Sequence, residues 1–315
     1  MKRIKVISTT IIAVLLIVLF GGTVFFFNTA LKTKVLPTDE ADAYDFLFEK
    51  KDYLKTWIDS LQQHNALRDT FIVAPDGKQL HALYVNAPQP SANTALIVHG
   101  YTDNSIRMLM IGHLYSYEMG YNILLPDLRG QGKSTNDYVQ MGWLDRKDVL
   151  EWINVVNGMY GDTTNIVIHG ISMGAATTMM VSGESLPDNV RCFVEDCGFT
   201  SVWDEYVYMM DRDYGLPPFP LLHTTSLYCQ WKNDWGFKEA SALEQVKKCT
   251  KPMFFIHGDA DTYVPTWMVY ELHKAHSGEK DLWVVPGVAH ANAYWDSTEE
   301  YVERTKAFVG KYINP

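Results

Sequence analysis

Asn165-Ile166-Val167-Ile168-His169-Gly170-Ile171-Ser172-Met173-Gly174-Ala175-Ala176 decides how the rest of this chain is read. Asn165 to His169 is a short, β-branched, apolar run, the pattern of a buried strand. Past Met173 come small residues and helix formers: Gly174, Ala175, Ala176, Met179 and Met180. Between strand and helix, Gly170-Ile171-Ser172-Met173-Gly174 is a G-x-S-x-G pattern. Three fixed positions of common residues arise by chance in about one chain in ten of this length. The weight therefore rests on the strand before the pattern and the helix after it. On such a turn the serine is forced into a strained backbone conformation and its hydroxyl is lifted clear of the sheet. Two glycines without a Cβ let neighbouring backbone pass close to the turn. The N-terminus of the following helix points N–H groups at developing negative charge.

Outward from this stretch, strands and helices alternate. Ala95 to His99, Asn122 to Pro126, Val190 to Glu195, Met253 to His257 and Leu282 to Val285 read as strands. Ile106 to Glu118, Leu144 to Tyr160, Trp267 to Ala275 and Glu299 to Tyr312 read as helices. Such alternation implies a mostly parallel sheet covered on both faces. Upstream, Phe71 to Ala74, then Pro75-Asp76-Gly77, then Leu80 to Val85, reads as a β-hairpin turned by Asp-Gly. Apolar residues at Tyr44, Phe48, Leu54, Trp57 and Leu61 give Ala41 to Gln63 a helical spacing. Residues 201–245 break the alternation and are rich in Trp, Tyr, Met and Pro.

A serine hydroxyl is nearly inert at neutral pH and needs a base, and the base needs a carboxylate to hold its tautomer. On a G-x-S-x-G turn of this kind, the order along the chain is Ser, acid, His. His257-Gly258-Asp259-Ala260-Asp261-Thr262-Tyr263-Val264-Pro265 follows one strand directly, and Gly287-Val288-Ala289-His290 follows the last. Both lie at carboxyl ends of strands, where ligands collect in open α/β sheets.

These residues, with His99-Gly100-Tyr101 and Asp127-Leu128-Arg129-Gly130-Gln131-Gly132-Lys133-Ser134, make the chain resemble the α/β-hydrolase superfamily in its serine esterase and peptidase-like branch. The resemblance covers roughly residues 68–313 and includes five motifs in order. Its N-terminal segment and hairpin look like those of membrane-anchored bacterial members. The resemblance implies an α/β-hydrolase fold, with a cap insertion at about residues 201–245 whose aromatics wall an ester-type small-molecule substrate. It places the nucleophile on Ser172, the base on His290 and the acid on Asp261, the second Asp of G-x-x-D-x-x-V-P. Asp196, after the strand Val190 to Glu195, is the rival acid, since some members carry it there. The oxyanion hole falls on two backbone N–H groups, those of Met173 and Tyr101. Asp127 to Ser134 reads as structural, with Gly130 and Gly132 in a tight turn and Arg129 as its anchor. His169 reads as packed, and Asp259 as a turn residue. No metal or organic cofactor is implied. The reaction expected is cleavage of an ester, thioester or amide through an acyl-serine intermediate. The alternative is an inactive, membrane-tethered binding or scaffold protein on the same fold.

The net charge is −10 over 315 residues, with 47% hydrophobic and 20% charged residues. This is an ordinary globular balance with no basic stripe for nucleic acid. Val6 to Phe27 carries no charge and, as a helix, spans about 33 Å, enough for a bilayer core of about 30 Å. Lys2, Arg3 and Lys5 precede it, which favours a cytoplasmic N-terminus and an extracytoplasmic catalytic domain, although Lys32 and Lys34 on the far side make the asymmetry modest. A cleaved signal peptide is the alternative, with Asn28-Thr29-Ala30 as its only cleavage context; Phe25-Phe26-Phe27 is a poor one. The expected organisation is an anchor over residues 1–30, a linker with Pro37 and a helix over 31–67, and the catalytic domain over 68–315. Four cysteines, Cys192, Cys197, Cys229 and Cys249, show no C-x-x-C spacing. Cys192 and Cys197 sit five apart in an expected strand, about 16 Å from each other, too far for a disulfide. A Cys229–Cys249 bond is conceivable, and buried free thiols are the preferred reading.

Overall fold

The computed structural model describes residues 2–33 and 40–313; Lys34, Pro37 and residues 314–315 lie outside the described residues. The chain runs α1 (Lys2–Leu31), α2 (Glu40–Lys50), α3 (Asp52–Gln63), β1 (Leu67–Val73), β2 (Gln79–Val85) and β3 (Asn93–Val98). Then come α4 (Leu109–His113), a π-helical turn (Leu114–Glu118), β4 (Asn122–Pro126), α5 (Asp145–Tyr160), β5 (Asn165–Ile171), α6 (Met173–Ser182) and β6 (Val190–Asp196). It continues through α7 (Val202–Tyr214), α8 (Leu221–Asn233), α9 (Ala242–Val246), β7 (Met253–Gly258), α10 (Trp267–Ala275), β8 (Lys280–Val285), α11 (Ala293–Asp296) and α12 (Thr298–Ile313).

Two compact units divide these elements: Thr33–Thr200 with Ser241–Pro315, and Met1–Lys32 with Ser201–Ala240. The larger holds an eight-stranded sheet in the order β1-β2-β4-β3-β5-β6-β7-β8. β2 is antiparallel to β1 and β4, and the strands from β4 to β8 are parallel. Every residue of β3, β4 and β7 is buried, as expected of mainly apolar strands covered on both faces. β1, at the edge, leaves Phe71 and Val73 exposed. The chain goes from β3 to β4 on one side and returns to β5 on the other, so the strand order reverses between β3 and β5. In open sheets that reversal opens a crevice at the carboxyl ends of the strands.

Two expected helices differ in detail. The segment expected as one helix over 41–63 breaks at Lys51, whose backbone is extended (φ −150°, ψ 115°). The break lets each half bury its own apolar face: Ala43 and Leu47 on α2, and Leu54, Trp57 and Ile58 on α3. The helix expected over 106–118 begins as turns, is α-helical only over Leu109–His113, and widens into the π-turn.

The smaller unit consists of α1, α7 and α8. Ser201 caps α7 by accepting the Asp204 N–H, and Gly215 closes it in the left-handed region at φ 60°. α9 belongs to the larger unit and is capped by Ser241, whose hydroxyl accepts from the Glu244 N–H.

Candidate active site

β5 ends at Ile171 and α6 begins at Met173, leaving Ser172 alone on the turn at φ 56°, ψ −120°. A serine pays strain to hold a positive φ. The neighbours enforce it. A Cβ on Gly170 would lie 2.1 Å from the Gly174 carbonyl oxygen, and one on Gly174 would lie 2.1 Å from that of Val98. Only glycine fits either position. The Ser172 N–H donates to the Asp196 carbonyl (2.8 Å), which ties the turn to the end of β6.

The Ser172 Oγ lies 2.8 Å from the His290 Nε2, and the His290 Nδ1 lies 2.7 Å from the Asp261 Oδ2. A carboxylate on Nδ1 fixes the proton there and leaves Nε2 with its lone pair toward the serine. Backbone contacts between the loops after β7 and β8 set this geometry. The Asp259 N–H donates to the Val285 carbonyl (3.1 Å), and the Ala260 N–H to the Val288 carbonyl (3.1 Å). The Gly287 N–H donates to the Asp259 carboxylate (2.5 Å). The other Asp261 oxygen accepts from the N–H groups of Tyr263 (2.8 Å) and Val264 (2.9 Å). Burial raises the Asp261 carboxyl, but hydrogen bonds from His257 and His290 and from the Tyr263 N–H outweigh it and hold it well below the ordinary carboxylate range. It is ionised at neutral pH.

Three neighbours of this cluster had no assigned part in the sequence reading. His257, fully buried at the end of β7, places its Nε2 2.9 Å from the Val264 carbonyl and 3.3 Å from the Asp261 Oδ2. Its position four residues before Asp261 was the available signal. The Tyr263 ring lies 5.0 Å from that of His290. The ligand atoms of Cys197, Asp261 and His290 lie within 4.8 Å of one another, and burial pushes the Cys197 thiol well above its ordinary range. All four cysteines are buried and free.

Asp196 reaches a different partner. Its carboxylate accepts from the Tyr301 hydroxyl (3.1 Å), whose oxygen lies 2.9 Å from the His169 Nε2. The His169 Nδ1 lies 3.0 Å from the Tyr115 hydroxyl. Burial lowers His169 to about 3, so it is a neutral, packed bridge between two tyrosines. Asp127 accepts from the Ser105 N–H (2.7 Å) and the Lys133 N–H (2.9 Å), while the Arg129 guanidinium pairs with Asp148 and Asp76. The 127–134 loop is thereby pinned from both sides.

Tyr101 follows β3, whose Val98 lies in register with Gly170 of β5, so Tyr101 and Met173 leave the sheet on adjacent strands at the reversal of strand order. A cavity of about 370 Å³ lies beside this loop, lined by Tyr101, Thr102, Asp103 and the 130–137 turn.

Residues 107–315 match the prolyl oligopeptidase family. The chain belongs to that family. Over 290 residues this family member is 27% identical to YqkD of Bacillus subtilis (strain 168), covering 89% of this chain and 94% of that protein. Its backbone resembles that of the Pyrococcus furiosus esterase Pf2001, with a TM-score of 0.63 and 24% identity over 78% of this chain and 93% of that one. It also resembles Est1E from Butyrivibrio proteoclasticus, a structure with ferulic acid bound, with a TM-score of 0.61 and 19% identity over 78% of this chain and 100% of that one. The fold is therefore the α/β-hydrolase fold, and the chain is a serine hydrolase of that type. Its N-terminal helix, with Thr9–Leu31 as the apolar span, is long and apolar enough for a membrane anchor or a signal sequence.

Proposed function

We propose that this chain hydrolyses an ester bond through an acyl intermediate on Ser172, with His290 as general base and acid and Asp261 as the orienting carboxylate. The observation that carries the reading is the unbroken run from Ser172 Oγ to His290 Nε2 (2.8 Å) and from His290 Nδ1 to Asp261 (2.7 Å). Oγ attacks the substrate carbonyl carbon as its proton passes to Nε2. The carbonyl π pair moves to oxygen, and the oxyanion is met by the N–H groups of Met173 and Tyr101; one such donor is worth about 2.7–4 kcal/mol of barrier. The intermediate collapses, the C–O bond to the leaving group breaks, and the alkoxide takes the proton from Nε2. Water repeats the sequence on the acyl-serine and regenerates the hydroxyl. The imidazolium that forms twice per turnover is stabilised by the ionised Asp261.

Esters are favoured over peptides by the Pyrococcus furiosus esterase among the structural neighbours and by the ferulic acid bound to another, Est1E. Thioester and amide cleavage use the same steps. A fluorophosphonate probe should label the native chain at Ser172, and p-nitrophenyl esters of increasing chain length should show which acyl group is taken. A folded protein that the probe leaves unlabelled would instead be the binding or scaffold protein.

We further propose that residues 1–30 are an uncleaved anchor and that the catalytic part lies outside the cytoplasm. Support comes from the packing within the smaller unit. The Phe27 ring lies 4.9 Å from that of Tyr228, and the Thr23 and Thr224 hydroxyls meet at 2.6 Å, contacts that cleavage near Ala30 would discard. A mature N-terminus near Ala30, or a C-terminal reporter active only in the cytoplasm, would contradict this.

A further inference from the structure

The two halves of α1 have different surroundings within the smaller unit. Ile11, Ile12 and Val14 to Val18 are each 53–71% exposed. From Phe20 onward α8 covers one side: the Tyr228 ring lies 6.3 Å from that of Phe20 and 4.9 Å from that of Phe27. Leu221 packs over Gly22, where a Cβ would lie 3.2 Å from its Cδ1. Small residues here let the two helices approach closely.

This has a geometric consequence. Val6 to Leu19 supplies about 21 Å of helix, leaving about 9 Å of a 30 Å bilayer core to residues that α8 already touches. If α1 crosses the membrane, α8 shares that depth. Its sequence suits the place. Leu221 to Asn233 contains no Asp or Glu. Leu227 and Trp231 are 70% and 71% exposed. Each stands three residues past a residue that contacts α1, Thr224 and Tyr228, and so about 60° around the helix, flanking the anchor. Phe219, just before α8, is 70% exposed as well. The Lys232 ammonium lies 4.9 Å from the Trp231 ring, the pairing of an aromatic with a snorkelling cation that suits a membrane interface.

We propose that α8 is a membrane-interface helix, whose Phe219, Leu227 and Trp231 enter the phospholipid leaflet beside α1. The proposal rests on the reading of α1 as an uncleaved anchor. Its occupant is the bilayer, because the exposed apolar side chains continue the surface of the helix proposed to cross it. The depth of about 9 Å matches the 5–10 Å at which amphipathic interfacial helices lie.

The test uses the full-length chain in phosphatidylcholine–phosphatidylglycerol nanodiscs. Nitroxide labels are placed singly at Leu227→Cys, Trp231→Cys and Leu15→Cys, and the unsubstituted protein gives the background of its buried thiols. Collision with oxygen relative to a water-soluble nickel chelate reports depth. All three labels should show an oxygen-to-nickel ratio several-fold above that of the free label in buffer, with Leu15 deepest. If Leu15 reads lipid while both α8 labels read water, the interface proposal fails and the anchor stands. If Leu15 also reads water, the anchor reading fails and takes the proposal with it. If the α8 labels are shielded from both agents and couple to each other between chains, their occupant is a second copy and the proposal is overturned.

Discussion

The turns after β6 and β7 begin alike, each from a buried parallel strand with an acidic residue at or just past its end, yet they serve the site in different ways. The β6 turn contributes main chain: the Asp196 carbonyl holds the Ser172 N–H, and the Cys197 N–H binds the Ile256 carbonyl (2.9 Å). Its carboxylate points to Tyr301. The β7 turn contributes a side chain: Asp261 takes two backbone N–H groups on one oxygen and two imidazoles on the other. The consequence is electrostatic. Burial pushes Asp196 up to about 6, with the Tyr301 hydrogen bond and the charges of His257 and His290 only partly offsetting it. Asp261 also feels burial, but its donors win and hold it well below the ordinary range. What separates the titration of two buried carboxylates is the number of donors aimed at them: Asp196 takes up a proton below about pH 6 while Asp261 stays charged, and at neutral pH it is the contact with His290 that distinguishes Asp261.

The largest effect sets the floor for that comparison. Ser172→Ala should lower ester turnover on the order of 10⁶-fold with the fold retained, since the hydroxyl is the attacking group. Near-normal hydrolysis by a folded Ser172→Ala protein would end the serine mechanism at this site. Asp261→Asn comes next. An amide on Nδ1 can hold the ring in the wrong tautomer, which in one well-studied triad costs about 10⁴ in turnover. Asp196→Asn should cost less than about tenfold. Should the two results be exchanged, with both proteins folded by circular dichroism, the acid is Asp196.

A third measurement sharpens the contrast from the β6 side. Tyr301→Phe removes the hydroxyl that donates to Asp196 and meets His169. It leaves a buried carboxylate short of a donor, a loss of about 1–3 kcal/mol of stability. Ester turnover per folded molecule should stay within about tenfold. A loss in turnover as large as that of Asp261→Asn would place Tyr301 in the catalytic machinery.

The legible parts of the molecule are those written locally. β4 was readable because all of its residues are buried, and Ile123 to Pro126 run apolar without interruption after Asn122. The elbow was readable because its two glycines answer to contacts that admit no side chain. The acid and the base were readable because each sits within a few residues of a strand end. The break at Lys51 was hidden because apolar spacing continues across it. The second imidazole on Asp261 looked like the last residue of a strand. The pairing of Thr23 with Thr224 joins residues 201 positions apart, so no window of sequence contains it. The orientation of Asp196 toward Tyr301 has the same origin: α12 lies more than a hundred residues further along the chain.

The smallest effect tests the comparison through stability and pH. Asp196 titrates near 6 in the folded chain, raised mainly by burial, and near 3.9 when unfolded. Between about pH 4 and pH 6 the native chain keeps a proton that the unfolded chain has released. For this group, stability is then highest at or below pH 4, falls by up to about 1.4 kcal/mol per pH unit across the window, and stays at the lower level above pH 6. Asp261 has the opposite sign: its depressed carboxyl contributes stability above the ordinary carboxylate value and loses it as pH falls toward its folded value. That contribution is common to the native chain and to Asp196→Asn, so it cancels in their difference. Asparagine does not ionise, and its amide oxygen still accepts from Tyr301. Urea unfolding of the two proteins at pH 4, 5, 6 and 7 should therefore show Asp196→Asn gaining on the native chain from pH 4 to 6, with no further gain at 7. A difference that stays flat across the series would mean that the Asp196 carboxyl titrates as an ordinary acid, and the contrast between the two turns would then rest on geometry without the electrostatics.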